Sequence, residues 1–353
     1  MRLVERYIAQ AVQNSVLAVL VVILILFAVI NYINEFEKIG QADYSNWLAL
    51  QYVLLWLPKI AVQVFPMAAL LGTMLGLGLL AQNSELVVIR AAGLSRYKIA
   101  ILVVKSMLIL VAVVFVVAEF IAPPAEQYAE QMRIKAMESR VSLHTEYGLW
   151  VRDGNTFVHI RTVGENKELL DVDLAVVDDN RELVQIVHAS TARHDGDQWR
   201  LYDVSVSHLS LDGVRQEHLA EKTWDSLLAA DIVDTVSFNP DTLSIIKQFE
   251  YIKYLQNNGL NSRVYELAMW SKIFSPLTII AMILLAVPFM FGLSRTTTLG
   301  KQVMLGFLFG IVFFIGNRLM GQVGLVYNIP PALSASIPTL FVFALAFILF
   351  KRH

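Results

Sequence analysis

Histidines are the first residues to test for chemistry, since metal binding and proton transfer are most readily built from them. There are seven, and His144, His159, His188, His194, His208 and His218 fall within one stretch of the chain. None stands in an H-x-x-x-H or H-E-x-x-H pattern, so the favoured reading is scattered solvated imidazoles rather than a zinc site. The nearest approach to a phosphate loop is "RTTTLGKQ". Gly300 and Lys301 are in place, but Arg295 stands where the first glycine belongs and Gln302 where the hydroxyl belongs. The pattern that cradles a nucleoside triphosphate is therefore not met. "GLSR" occurs at Gly93–Arg96 and again at Gly292–Arg295. Neither copy follows a strand, which argues against a nucleophile elbow; glycine ending one helix and serine capping the next is the simpler account. With no cysteine in the chain, disulfides, thiolate metal sites and cysteine nucleophiles are excluded.

What remains is charge in apolar surroundings. Lys59, Lys105, Glu119, Arg318 and, at the base of a polar extension, Arg133 lie in or beside apolar runs, where ionisable residues are costly enough to suggest function. Lys105 and Glu119, near opposite ends of their run, are placed to reach the interface by snorkelling. Lys59 and Arg318 are open to the same reading. With Lys38 and Arg133 they would also form a basic collar suited to an anionic, phosphate-bearing amphiphile.

The elements that must position these residues are membrane spans. Hydrophobic residues make up 56% of the 353-residue chain and charged residues only 16%, against about a quarter charged in soluble domains. A formal net charge of −2 argues against nucleic acid as a partner, which would call for a basic footprint. Runs long enough for a hydrocarbon core of roughly 30 Å occur at Val12–Ile33, Trp47–Leu80, Ile99–Ile121, Met269–Phe291, Val303–Leu319 and Ala332–Phe350. The first follows Arg2 and Arg6 but is too long for a signal peptide and has no small-residue cleavage site behind it. The second is too long for one straight span. Pro58 and Lys59 are expected to divide it into an interfacial approach, Trp47–Leu57, and a span, Ile60–Leu80. The third is expected to stop at Pro123–Pro124.

Arg2 and Arg6, then Arg90, Arg96 and Lys98, then Arg295 and Lys301, then Lys351 and Arg352 fall on one side of these spans. The positive-inside bias makes that side cytoplasmic, with both termini on it. The long insert between spans three and four is then external. After a polar, helical extension (Ala125–Arg140), "LWVRDGNTFVHIRTV" reads as a hairpin turning at Asp153-Gly154-Asn155. Further β-like runs follow at Leu169–Val177, Leu183–Ala192, Trp199–Leu209 and Gln216–Trp224, a spacing that suggests a sandwich or jelly roll. From Asp241 the pattern turns helical, with Ile245, Phe249, Ile252 and Leu255 on one face and Asn257-Asn258-Gly259 as the stop.

Between spans two and three lies "AQNSELVVIRAAGLSRYKI". Asn83 or Ser84 can cap a helix start there, Glu85 suits the positive end of its dipole, Arg90 suits the other end, and Gly93 is placed to end it. A capped rod of about two turns on the cytoplasmic side has the form of a coupling helix, the element by which a cassette transporter's spans meet a separate ATPase. A re-entry loop resting on headgroups is the alternative.

With these residues in view, "FPMAALLGTMLGLGLLAQNSELVVIRAAGLSRYKI" (Phe65 to Ile99) resembles the signature of the lipopolysaccharide-export permease family, LptF/LptG, of ATP-binding-cassette transporters. So do the N-terminal "ERYI", the "LWVRDGNTFVHI" hairpin, "MWSKIFSPL" and "LVYNIPP". The match runs in order over nearly the whole chain and is nearer the LptG branch than the LptF branch. The resemblance implies an α+β membrane protein: six transmembrane helices with a periplasmic β-jellyroll-like domain inserted between helices 3 and 4. In residues, it implies spans one to three in 1–122 with a coupling helix at 84–93, the β domain with helical linkers in 123–265, and spans four to six in 266–353.

The resemblance further implies a place in the bacterial inner membrane, pairing with LptF, and two copies of the LptB ATPase beneath. LptC would lie beside span one, and LptA would be reached through the periplasmic bridge. ATP and Mg²⁺ would sit on the ATPase, with no cofactor, metal or catalytic residue expected in this chain. Glu85, Arg90 and Gly93 would serve ATPase coupling, and Lys38, Lys59, Arg133 and Arg318 the phosphates of lipopolysaccharide. The chain departs from the family pattern near the end of span one, with Asn31 where a lysine is often found and Glu37 before Lys38. Two rival classes are an integral membrane enzyme acting on a lipid-linked phosphate and a scaffold whose β domain binds a periplasmic partner. The first would be favoured by paired carboxylates or a histidine at membrane depth, and the second would need no coupling helix.

Overall fold

The computed structural model describes residues 2–91, 93–137, 149–153, 155–163, 168–178, 182–195, 198–210, 213–224, 240–293 and 298–352. The chain divides into two units, one of residues 1–39, 46–130 and 263–353, the other of residues 40–45 and 131–262. Among the described residues, six helices of the first unit are long and apolar enough to cross a membrane. They are α1 (Arg2–Glu35), α2 (Asn46–Gln82), α4 (Arg96–Val116, continued below), α7 (Arg263–Leu293), α8 (Leu299–Val326) and α9 (Pro331–Arg352). The short α3 (Glu85–Ala91) joins α2 to α4.

Two expected proline breaks are absent. α2 runs 37 residues through Pro58 and Pro66 without division, about 55 Å at 1.5 Å per residue, so Trp47–Leu57 is part of the same rod as Ile60–Leu80. It is the most enclosed of the six, 72% of its apolar window being buried, and a helix held by neighbours keeps its course through a proline. The third span likewise continues past Pro123–Pro124. A π-helical turn, Val117–Ile121, leads into α5 (Ala122–Met137), and the Ala122 N–H reaches back to the Val117 carbonyl. That five-residue step shifts the ladder just ahead of two residues that have no N–H to contribute.

The core of this unit is a layer of small-residue contacts between α1 and α2, widened by α4, α7 and α9. Gly72 and Gly76 of α2 face α1 so closely that a Cβ at Gly72 would stand 2.3 Å from the Val16 Cα, and one at Gly76 2.9 Å from the Val12 Cα. Close backbone approach over small residues is how spans associate where no hydrophobic force acts between them. Polar side chains add pins: the Gln13 amide donates to the Ser106 carbonyl at 2.6 Å, and the Thr278 and Thr339 hydroxyls meet at 2.6 Å between α7 and α9. α1 and α8 remain largely uncovered, only 6% and 11% of their apolar windows being buried within the chain.

Among the described residues of the second unit, six strands form one antiparallel sheet in chain order: β1 (Leu149–Asp153), β2 (Thr156–Val163), β3 (Leu169–Val177), β4 (Leu183–Asp195), β5 (Gln198–Ser210) and β6 (Gly213–Trp224). This is a β domain between the third and fourth spans, fitting the jellyroll expectation. The hairpin is there, with Asp153 paired to Thr156 across its turn. Asp171 and Asp203 adopt left-handed φ of 53° and 54°, tolerable for aspartate. There the in-out alternation resets: buried positions are Leu169 then Val172 and Leu174 on β3, and Trp199 and Leu201 then Val204 and Val206 on β5. Both halves of each strand thereby feed one core. Trp199, 1% exposed and packed on Trp224 and His194, is its largest member. Trp199→Ala should cost about 3–5 kcal/mol, read as lost hydrogen-exchange protection in β4 to β6 with the spans unaffected.

The helical return, α6 (Ile245–Asn257), ends where expected, Gly259 taking a φ of 64°. Its buried face differs from the apolar pattern. Gln248, Tyr251, Ile252, Tyr254 and Leu255 are inside while Phe249 is 60% exposed. The Gln248 amide donates to the Pro240 carbonyl at 2.7 Å, so a hydrogen bond fixes the rotation.

Candidate functional site

The short helix α3 is built as the sequence suggests, with a change at its start. Ser84 has a φ of 61° and supplies its carbonyl, not its side chain, to the N–H groups of Val87 and Val88. Gly93, at a φ of 93°, closes the other end with its N–H on the Arg90 carbonyl. The Ser95 hydroxyl then caps α4 by accepting from the Lys98 N–H. This is the turn expected of the first "GLSR"; residues 294 and 295 of the second copy lie outside the described residues.

Leu86 and Ile89 anchor α3 in the helical core, leaving Val87 and Val88 outside, 66% and 67% exposed. Two open hollows flank it, each of about 520 Å³. One is bordered by Arg90, Gly93 and Leu94, the other by Leu3, Val4, Tyr7, Glu85 and Val88. In the second, the Tyr7 phenol lines the hollow together with the Glu85 side chain. The Glu85 Oε2 is buried with no hydrogen-bond partner among the described residues. A carboxylate with an unpartnered oxygen beside exposed valines gains by meeting a cationic donor.

The four basic residues expected at the mouth have different settings. Lys59 is held in an ion pair with Glu126 of α5, their side chains 16% and 9% exposed, and its ammonium lies 4.8 Å from the centre of the Trp56 ring. One turn earlier Tyr52 stacks on Trp56 and donates to Glu130 at 3.4 Å. Lys38 pairs with the buried Glu35 at 2.9 Å. Arg318 is exposed on α8. Arg133 is half-buried and belongs to the second unit. Asn31 turns its amide back to the Phe27 carbonyl at 2.8 Å. Of the residues set aside as snorkelling, Glu119 is buried, 8% exposed, within the π turn. Nothing in the sequence marks Tyr7, Glu126 or Glu35 as neighbours of these charges. Glu126 and Glu130 stand four apart on α5, a helical repeat that reads only as a polar face until its partner is known.

Among the described residues no group of three or more histidine, aspartate or glutamate side chains is placed to hold a metal ion. The histidines instead join aspartates across the sheet: His188 lies 2.7 Å and His159 3.5 Å from Asp173, and His218 3.0 Å from Asp203. The Ser190 hydroxyl, donating to Asp203, and then the attraction of His218 and His188 hold the Asp203 carboxyl below the usual carboxylate range, against an opposing contribution from desolvation. A depressed carboxyl stabilises the fold above its unfolded pKa of about 3.9 and loses that contribution as pH falls through its folded value. Hydrogen-exchange protection of β4 and β5 should therefore decline across that acidic window, shallowly because the group is exposed, and Asp203→Asn should flatten the decline.

Six apolar helices around a glycine-tight helical core, a β domain inserted after the third, and a short helix presented on a turn define a multi-pass membrane protein of the transporter-permease class. The chain belongs to the family Lipopolysaccharide export system permease LptF/LptG, which matches residues 6–352. It is 37% identical over 351 residues, 99% of this chain and 98% of the relative, to the lipopolysaccharide export system permease protein LptG of Escherichia coli strain K12. It is 35% identical over 350 residues to the protein of the same name from Haemophilus influenzae strain Rd, again covering 99% of this chain and 98% of the relative.

Proposed function

We infer that this chain is the permease subunit of an ATP-driven exporter that extracts lipopolysaccharide from the outer leaflet of the inner membrane and passes it to a periplasmic bridge. The observation that carries the reading is the family match over residues 6–352. The reading assigns the membrane face of α3 to the cytoplasm and the β domain to the periplasm, the arrangement favoured by lysine and arginine placement. The partners are a second permease, LptF, an LptB ATPase dimer that binds ATP and Mg²⁺, and LptC and LptA on the route outward. The uncovered faces of α1 and α8 suit the partner permease and the lipid between them, and α3, with Glu85, Arg90 and Gly93, suits the ATPase.

An external power source is needed because exposing acyl chains costs roughly 0.8 kcal/mol per methylene. The test is to purify the chain from its own host in mild detergent and identify accompanying proteins and lipids by mass spectrometry. A second permease, a cassette ATPase and lipopolysaccharide are expected; a chain that comes alone, with phospholipid only, would overturn the reading.

A further inference from the structure

Lys59 is the most enclosed of the basic residues expected to hold phosphate in the first unit, and its charge is already taken. Glu126, itself 7% exposed, faces it from α5, and Trp56 covers it with a ring face. A buried ammonium is costly unless paired, so the lysine can meet a phosphate only by exchanging one anion for another. The surroundings are suited to that exchange. The Trp56 indole N–H is buried with no acceptor among the described residues, and an orphaned donor of that kind gains when an acceptor arrives.

We propose that Glu126 stands in for the substrate's phosphate, neutralising Lys59 while the site holds no lipid and yielding it when a lipid phosphate enters between the lysine and the Trp56 N–H. This rests on the lipopolysaccharide reading and adds to it a selection rule. A tethered carboxylate competes at high effective concentration, so a singly charged phosphodiester headgroup displaces it poorly, whereas a phosphate monoester carrying up to two charges displaces it well. Glu126 thereby screens out the anionic phospholipid that surrounds the protein. Tyr52 and Glu130, one turn from Trp56 and Glu126 on the same two helices, keep α2 and α5 together during the exchange.

The test titrates the purified complex with lipopolysaccharide, using phosphatidylglycerol as competitor. Lys59→Gln should weaken lipopolysaccharide binding, and Glu126→Gln should tighten it by roughly tenfold while making phosphatidylglycerol a better competitor. The double variant should match Lys59→Gln, because a latch without its lysine has nothing to release. A folded Glu126→Gln complex that binds no more tightly than the native one, or loses binding as Lys59→Gln does, would overturn the stand-in role and leave the permease reading intact. Should Glu126→Gln fail to assemble, Glu126→Asp, with its shorter reach, should give a smaller gain, and no gain would overturn the proposal. Absence of lipopolysaccharide binding by the native complex would overturn both readings.

Discussion

Gly72→Val is expected to leave little folded protein after detergent extraction. The added Cβ alone would stand 2.3 Å from the Val16 Cα and 2.7 Å from the Val16 nitrogen. These are backbone atoms, so no rotamer change relieves the clash. α1 and α2 must part along a seam that also holds Ile8, Val12 and Met74 in the core. Ordinary overpacking costs about 1–3 kcal/mol, and a clash of two backbones in one interface should reach or exceed the top of that range. Thermal unfolding followed by size-exclusion chromatography measures it. Gly300→Ala is the control: nothing lies within 4 Å of a Cβ there, and replacing glycine within a helix should be neutral or gain up to about 1 kcal/mol. Equal stability of Gly72→Val and the native chain would contradict the close approach of the two helices.

On the permease reading proposed above, Glu85→Lys should separate the chain from a cassette ATPase while leaving it inserted. The substitution removes the carboxylate that shares a hollow with Tyr7, puts an ammonium in place of the buried Oε2, and, on the proposed reading, meets a cationic partner with like charge. Removing one member of a desolvated charge pair at an interface costs about 2–5 kcal/mol, so the affinity should fall roughly thirtyfold or more. Quantitative mass spectrometry of copurified ATPase reads the loss directly. Glu85→Gln removes the charge without reversing it and should lose less. Tyr7→Phe, which leaves the carboxylate and its charge in place, should retain ATPase. If Tyr7→Phe and Glu85→Lys deplete ATPase equally, the tyrosine contact rather than the charge is what couples the subunits.

Much of this architecture can be read from apolar run length, because a hydrocarbon core demands long helices whatever their neighbours. β3 falls at Leu169–Val177 in both sequence and structure, its turn residues and β-branched content leaving little choice. The prolines mislead for a physical reason. A proline breaks a solvated helix, but Pro58 and Pro66 lie in the most enclosed span and Pro123–Pro124 follow a π turn that accommodates them. Phe249 misleads because apolar periodicity does not register that Gln248 has a carbonyl to bond. For the candidate site, residue chemistry is legible and partnership is not. Glu85 and Lys59 draw notice as charges beside apolar runs, whereas Tyr7 and Glu126 lie 78 and 67 positions from them in sequence, and only the packing of α1 against α3 and of α2 against α5 brings them in.

The π turn also sets a clock. One residue of surplus in Val117–Ile121 advances the start of α5 by about 100° relative to an unbroken α-helix. The bearing of Glu126 toward α2 is thus fixed by a residue count made before it. Chain length over those few positions acts as an angular adjustment: shortening it by one would leave the composition and helicity of α5 intact yet point its carboxylates elsewhere. Lys59 would keep its place and lose its counter-ion.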